Sequence, residues 1–354
     1  MNECPSDVRD RLPKIRQPAH AQCRSKVPVL TVYRPYRAGG VPAYGAAMRS
    51  VVWPKRVRPV IVGVDGSRSQ PAVLDLAVAE AVRRNAPLLL VHIWPGRYPR
   101  GVRSRSVMPG EEDGRRLLDV AARRVAHVAS HLDIAVDLVE GSPSAVLVER
   151  SMAGRLLVVG HRDEVPARTS WGSTAAYLAH HSACPLLVHR GTVPEQGPVV
   201  LAASARDGTT STVECAFREA SLHGARLVAV HVWTTGRDAS SPAAVVSGYV
   251  ADRQAAERQL AEALVGWASS YPDVAVERLV LHDLDVAYTL ERASRRGRLL
   301  IAGMGRHSRF AELLYGSLGA ALVRQAPCPV LLVPYGWRQS AVSVHLEEAT
   351  TDPS

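Results

Sequence analysis

The chain has 354 residues, of which 47% are hydrophobic and 21% are charged, a composition typical of globular domains rather than of disordered or fibrous proteins. The net charge is +10, but residues 1–58 hold 12 Lys or Arg against 3 acidic residues, so the remainder is almost neutral. A neutral body argues against nucleic acid as a partner, and no apolar run approaches the roughly 18 residues of a membrane helix.

Residues 1–57 contain scattered Arg, Pro and Gly without an apolar repeat, which predicts a disordered basic leader. This leader has no apolar signal core. The five cysteines lack any zinc-binding spacing; they are Cys4, Cys23, Cys184, Cys215 and Cys328. These features together predict a cytoplasmic protein without a structural metal site and without a membrane-spanning segment.

Short apolar runs alternate with helix-like patterns in the first half of the chain. Strands are predicted at 59–64, 88–93, 134–139, 155–160 and 185–190. Between them, helices are predicted at 69–84, around 117–132, at 142–153 and at 173–182. Alternating strands and helices imply crossover connections and therefore a parallel sheet.

The second half repeats the first. NAPLLLVHIW at 85–94 returns as GARLVAVHVW at 224–233, and GRLLVVG at 154–160 returns as GRLLIAG at 297–303. Strands are predicted at 198–203, 226–232, 274–281, 298–302 and 329–333, with a long helix at 249–270. The prediction is an α/β protein of two tandem domains, each an open five-stranded parallel sheet flanked by helices. We name residues 58–191 copy one and residues 197–335 copy two; residues 336–354 form a polar tail.

Ligands bind open parallel sheets beyond the carboxyl ends of the strands. In copy one the first strand ends in Val64-Asp65-Gly66-Ser67. A carboxylate there can accept hydrogen bonds from an adenine amino group or a ribose hydroxyl. The alternative is that Asp65 only caps the following helix.

The loops after the fourth strands differ between the copies. Copy two has Gly303, Arg306 and then Gly316-Ser317, a basic loop leading to a helix start that favours a phosphate. Copy one has Gly160 and then Gly172-Ser173-Thr174, but Asp163 and Glu164 between them disfavour a phosphate. In either copy the alternative is an ordinary surface loop.

The ordered motifs VIVGVDGS, VHIW, VEGSP, LLVVG, GS and CPLLV resemble those of the universal stress protein family, and residues 59–334 look like a tandem pair of its domains. The resemblance implies Rossmann-like domains that bind ATP or another adenine nucleotide, with Mg²⁺ accompanying the phosphates. It also implies an internal pseudo-dimer through strands 185–190 and 329–333, with a further homodimer left open.

The family's ATP motif is a glycine, two residues, a second glycine, nine residues, and a glycine followed by Ser or Thr. Copy two matches it at Gly303 and Gly316-Ser317 but has Arg306 at the middle glycine. Copy one matches it at Gly160 and Gly172-Ser173 but has Asp163 at the middle glycine, and its loop is one residue short. On the adenosine side, copy one has Asp65 and Gly141, where copy two has Ser204 and Asp283. Copy one therefore resembles the family on the adenosine side of the expected site, and copy two resembles it on the phosphate side.

Catalytic signals are missing from the sequence. His92 and His231 lie inside apolar strand runs, which favours hydrogen-bonded core histidines over metal ligands. There is no GxSxG, HExxH or GxxxxGK[ST] motif. The prediction is a non-enzymatic stress protein with degenerate nucleotide sites, acting by regulation or interaction. One alternative is a tandem scaffold that binds no nucleotide. The other is an enzyme similar to ATP pyrophosphatases, but the segment DGSRSQ at 65–70 lacks the paired glycines of those enzymes.

Overall fold

The computed structural model describes residues 57–96, 110–161, 174–191, 193–194, 196–203, 210–233, 242–304 and 318–338, with backbone only for 242–248. It also describes the backbone of two short strands nearer the N-terminus, β1 (Thr31–Tyr33) and β2 (Arg49–Ser50). Within these described residues, no helix is both long enough and apolar enough to span a bilayer.

Copy one alternates strands and helices in the predicted order. Its strands are β3 (Val60–Gly63), β4 (Leu88–Trp94), β5 (Ile134–Glu140), β6 (Leu156–Gly160) and β7 (Leu186–His189). Its helices are α1 (Gln70–Arg83), α2 (Glu111–Val128), α3 (Pro143–Ser151) and α4 (Thr174–His181). Each observed element lies within two residues of its predicted bounds, apart from α2, which begins earlier than the apolar pattern alone indicated.

Copy two repeats this order. Its strands are β8 (Val199–Ala202), β9 (Leu227–Trp233), β10 (Val276–His282), β11 (Leu299–Met304) and β12 (Val330–Pro334). Its described helices are α5 (Thr210–Leu222), α6 (Pro242–Leu264), α7 (Trp267–Ser270), α8 (Val286–Ala293) and α9 (Leu318–Gln325).

Two segments differ from the sequence-based expectation. The helix predicted at 249–270 is broken into α6 and α7, because Gly266 between them adopts φ = 84°, a left-handed conformation that interrupts a right-handed helix. The leader is expected to lack structure, yet β1 pairs antiparallel with β5 and β2 pairs with β1. This pairing covers the outer edge of β5, whose backbone groups would otherwise have no strand partner.

All twelve strands form one sheet, in the order β10-β9-β8-β11-β12-β7-β6-β3-β4-β5-β1-β2. Within each copy the five strands are parallel, and the first strand lies at the centre with the second on one side and the fourth on the other. After its first strand, each copy adds the second and third strands on one side and the fourth and fifth on the other. The strand order therefore reverses between β3 and β6, and again between β8 and β11. Such reversal points open a crevice at the carboxyl ends of the strands.

Apolar side chains form one layer on each face of this sheet. One layer packs beneath α1, α2, α5 and α6, and the other beneath α3, α4, α8 and α9. Strand residues alternate between the layers: Val60 belongs to the first and Ile61 to the second, and both are at most 1% exposed. Both layers continue from copy one into copy two, which explains why the central strands β3 and β6 consist of apolar residues up to their final glycine.

The copies meet where β7 pairs antiparallel with β12. Val188, Leu187 and Leu186 lie opposite Val330, Leu331 and Leu332, and all six are at most 2% exposed. On one face of this junction α4 contacts α9. Arg190 adds polar contacts, since its guanidinium donates to the carbonyl oxygens of Ala326 at 2.9 Å and Val323 at 3.1 Å.

On the opposite face a buried charge cluster joins the ends of α1 and α5. It consists of Glu80, Arg83 and Arg84 from copy one and Glu219 and His223 from copy two. Arg84 donates to both carboxylates, with an Nη2–Oε2 distance of 2.6 Å to Glu219, and Arg83 also contacts Glu80. The His223 ring lies 3.6 Å from Glu80 and 3.9 Å from Glu219, and neither ring nitrogen has a hydrogen-bond partner within the described part of the chain.

This cluster predicts an acid-sensitive fold. Burial, and then the charges of Arg83, Arg298 and Arg84, lower the pKa of His223 from 6.5 to about 3. Below pH 6.5 the unfolded chain takes up a proton that the folded chain rejects, so stability is complete above that pH and falls as the pH approaches 3. The slope should reach about 1.4 kcal/mol per pH unit.

Urea unfolding of the wild-type chain and of His223→Gln at pH 7 and pH 5 measures this contribution. The variant should lose less stability between the two pH values, because it lacks the imidazole that the unfolded wild-type chain protonates and the folded chain does not. His127 is exposed, so His127→Gln should behave as the wild type does. Equal acid sensitivity of His223→Gln and the wild type would refute the assignment.

Candidate functional site

The crevice of copy one lies at the carboxyl ends of β3, β4, β5 and β6. Three of the predicted site residues follow these strands: Asp65 follows β3, Gly141 follows β5, and Gly160 ends β6. Neighbouring strands are about 4.8 Å apart, so β3 and β5 are separated by roughly 10 Å. That span is comparable with the long dimension of an adenosine group.

Asp65 shapes the turn between β3 and α1. Its Oδ1 accepts from the backbone N–H of Ser67 at 3.0 Å, and its own N–H donates to Oε1 of Gln70 at 2.7 Å. The N-cap position of α1 is Ser69, whose side chain makes no capping bond. Asp65 therefore forms a local Asx turn rather than capping the helix, and its side chain is exposed at the edge of the sheet.

Gln70 is a functional candidate that the sequence analysis missed. It begins α1 and is 7% exposed. Its Oε1 is used by Asp65, but its Nε2 is buried without a hydrogen-bond partner in the described residues. A buried amide donor without an acceptor is costly, so this nitrogen is suited to a ligand atom at the turn. A buried polar residue at a helix start was the only sequence signal available.

Gly160 brings the end of β6 against the start of α1. A Cβ atom at this position would lie 3.1 Å from Val73 Cγ2 and 3.5 Å from Ser69 Oγ, so a larger residue would separate the two elements. Ser69 Oγ lies 3.1 Å from Ser67 Oγ, which places two hydroxyls at this crevice. Thr174, also a predicted site residue, is the first residue of α4 and is half-buried.

Gly141 lies where the backbone requires a glycine. Its φ is +144°, a region that side-chain-bearing residues rarely adopt. Its N–H donates to the carbonyl oxygen of Trp94 at 3.0 Å, which ties the end of β5 to the end of β4. The result is a stretch of edge backbone that a flat ligand group can approach closely.

The His92 side chain makes a hydrogen bond to the backbone at this edge of the sheet. Its Nδ1 lies 2.7 Å from the carbonyl oxygen of Val64; a carbonyl only accepts, so Nδ1 carries the proton. His231 makes the same bond to Ala203 at 3.0 Å in copy two. Both histidines make the expected hydrogen bond; His231 is 8% exposed, whereas His92 is half-buried. Val64 itself is 4% exposed, so this predicted site residue contributes backbone position rather than an exposed side chain.

In copy two, Asp283 occupies the position that corresponds to Gly141. Asp283 N–H donates to the carbonyl oxygen of Trp233 at 3.2 Å, as Gly141 does to Trp94. The Asp283 carboxylate accepts from Thr289 Oγ1 at 2.6 Å and from the backbone N–H of Asp285 at 3.1 Å. These bonds, with Thr289 contributing most, lower the pKa of Asp283. A fixed negative charge therefore lies where copy one has only a glycine.

Gly160 is the last residue of β6, and Gly303 is the last residue but one of β11. A Cβ there would lie 2.8 Å from Oγ1 of the buried Thr212, so the close approach of strand and helix is shared by both copies. The remaining predicted site residues lie outside the described residues; they are Gly172, Ser173, Arg306, Gly316 and Ser317. Asp163, Glu164 and Ser204 also lie outside them.

A cavity among the described residues lies away from this crevice. It has a volume of about 650 Å³ and lies between α6 and β10, lined by Arg253, Arg258 and Arg278 among others. It does not include the carboxyl ends of the strands. Since ligands of open parallel sheets bind at those ends, we assign the candidate site to the crevice of copy one.

Comparison with known proteins agrees with the duplicated architecture. The universal stress protein family matches residues 56–190 and again residues 197–334. A universal stress protein of Mycobacterium tuberculosis is 30% identical over 298 residues, covering 79% of this chain and 98% of that protein.

Solved structures are similar to most or to part of this chain. A universal stress protein from Archaeoglobus fulgidus superposes with a TM-score of 0.57 at 14% identity, covering 79% of this chain and 98% of its own. Another, solved in complex with cAMP, is 29% identical over 37% of this chain and 95% of its own, with a TM-score of 0.31. With the family matched twice along the sequence, this chain belongs to the universal stress protein family and carries two of its domains in tandem.

Proposed function

We propose that copy one binds an adenine nucleotide at the carboxyl ends of β3 to β6. In this proposal the protein acts in the cytoplasm in a stress response, by regulation or interaction and without catalysing a reaction. The observation that carries the proposal is the unpartnered Nε2 of Gln70, buried directly beside Asp65. A structural role alone would account for the Oε1 of Gln70 but not for its Nε2.

The chemistry of this crevice suits a nucleoside. Adenine and ribose present both donors and acceptors, and the crevice offers both. The Asp65 carboxylate accepts, the Gln70 amide donates, and the hydroxyls of Ser67 and Ser69 do either. Gly141 leaves the backbone open to a flat ring. This combination supports recognition of the nucleoside rather than of phosphate alone.

Copy two supports binding less well. The Asp283 carboxylate, held by Thr289, places a negative charge at the equivalent of Gly141. It would repel an anionic ligand and fill the space that a ring needs. This observation favours the second candidate function, a scaffold without nucleotide, for copy two. Should copy one also fail to bind, that function extends to the whole chain.

The phosphates of the nucleotide meet a different environment. Asp163 and Glu164 follow β6 in the sequence, and each repels a nearby phosphate by about 1 kcal/mol when exposed. Mg²⁺ is a hard cation that binds carboxylate and phosphate oxygens together. We therefore propose that copy one prefers AMP or ADP to ATP, and accepts ATP when Mg²⁺ accompanies it.

Calorimetric titration of the full-length chain tests this site. Asp65→Ala should abolish AMP binding, because it removes the directional acceptor. Gln70→Leu should weaken it about tenfold, the effect of one lost hydrogen bond. Ser317→Ala, in copy two, is the control and should change affinity little.

Two results would contradict the assignment. If Ser317→Ala abolishes binding while Asp65→Ala does not, the nucleotide site lies in copy two. If the wild-type chain releases no heat with millimolar AMP, ADP or Mg²⁺–ATP, the scaffold function replaces nucleotide binding.

We further propose that the two copies function as an internal pseudo-dimer, without needing a second chain to cover β7 and β12. The antiparallel pairing of β7 with β12, the contact of α4 with α9 and the Arg190 hydrogen bonds support it. A solvent-exposed apolar edge strand favours aggregation, and this arrangement leaves neither strand exposed.

Cutting the linker tests the pseudo-dimer. A protease site placed between Thr192 and Gly197 would allow the folded full-length chain to be cleaved once. The two fragments should remain together in size-exclusion chromatography and separate only in denaturant, because the sheet and both apolar layers cross the junction. Separation of the fragments in native buffer would contradict the proposal.

A further inference from the structure

The charge cluster between α1 and α5 follows the internal repeat. Glu80 and Glu219 are 139 positions apart, as are Arg84 and His223, and as are the strand histidines His92 and His231. The cluster therefore consists of equivalent residues from the two copies, arranged around the point where they meet. Both copies have a glutamate at the first pair of positions, Glu80 and Glu219. At the second pair, copy one has Arg84 and copy two has His223.

Charge balance in the cluster depends on this difference. Copy one contributes Glu80 with two arginines in direct contact, Arg83 and Arg84. Copy two contributes Glu219 and the neutral His223, and Arg84 reaches across to Glu219 at 2.6 Å. The glutamates are 3% and 1% exposed, so their charges must be neutralised by neighbours rather than by water.

Copy two has little of its own with which to neutralise Glu219. Its Arg218 lies 3.8 Å from the other carboxylate oxygen, at the limit of an ion pair, and its guanidinium lies 5.0 Å from the centre of the Trp337 ring. The copy-two residue at the position of Arg83 is Leu222. Glu219 therefore takes its closest cation from copy one.

A metal ion is a poor alternative for this cluster. The ligand atoms of Glu80, Glu219 and His223 lie within 4.8 Å of one another, a geometry that a divalent cation could bridge. However, Arg83 and Arg84 already balance the two carboxylates. A divalent cation would bring two more positive charges into a buried space beside two guanidinium groups, and the repulsion would oppose binding.

We propose that the charge cluster makes the copies selective partners, so that copy two requires a partner that supplies arginine at position 84. Pairing of copy one with copy two gives two contacting arginines for two carboxylates. The same geometry between two copies one would give four arginines for two carboxylates, and between two copies two it would leave only the two Arg218 side chains, each at the 3.8 Å limit of an ion pair. This inference rests on the proposed internal pairing and adds a rule to it. Arg84 of copy one bridges the two glutamates, and the equivalent position in copy two, His223, stays neutral.

Exchange of the two side chains tests the rule in the full-length chain. Arg84→His should lower the melting temperature by roughly 10 °C, because both buried carboxylates lose their shared cation. His223→Arg should also lower it, because a third arginine enters a balanced cluster. The double variant Arg84→His with His223→Arg should recover at least half of the larger loss, since Arg at position 223 can bridge the glutamates from the other side.

A matched control uses an exposed ion pair. Arg124 pairs with Asp75 at 2.7 Å on the surface of copy one, so Arg124→His should change the melting temperature by less than about 2 °C. If a single variant fails to fold, recovery of folded protein in the double variant is the same supporting result. A double variant no more stable than the less stable single variant overturns the proposal. Because linker cleavage reports on the pairing itself, the two proposals can fail separately.

Discussion

Backbone hydrogen bonding between β7 and β12 is the interaction on which the rest of this structure depends. Each copy ends in an apolar strand that its own sheet covers on one side only. Antiparallel pairing gives each strand its second neighbour and turns two five-stranded sheets into one. The apolar layers above and below then continue without a gap, and the ends of α1 and α5 come close enough to share a buried arginine.

Much of the fold could be predicted from the sequence because parallel strands buried on both faces appear as short apolar runs. The repeat then allowed the predicted strands of one copy to be compared with those of the other. The strands of both copies are found close to their predicted positions. Two features could not be predicted in this way. The break at Gly266 depends on one backbone angle, and the strands in the leader depend on an open edge of β5 that exists only after folding.

The candidate site could be predicted in part, for a related reason. Asp65, Gly141 and Gly160 could be expected at one edge because residues that follow strands share one edge of a parallel sheet. Gln70 was missed because its importance lies in an unmatched nitrogen, and a sequence does not show which polar atoms lack partners. The difference between Gly141 and Asp283 was visible in the sequence, whereas the hydrogen bond from Thr289 that fixes Asp283 was not. The partnership of Glu80 with Glu219 likewise depends on the contact between copies.

The short connection between the copies, residues 191–196, has a consequence for how the protein can respond to its environment. Partners joined by a few residues meet at an effective concentration in the millimolar range or above, so dilution does not part them as it parts separate subunits. Assembly at this junction is therefore insensitive to the abundance of the chain in the cell. A molecule that binds this protein therefore meets the two copies already paired and reaches only the surfaces that the pairing leaves open.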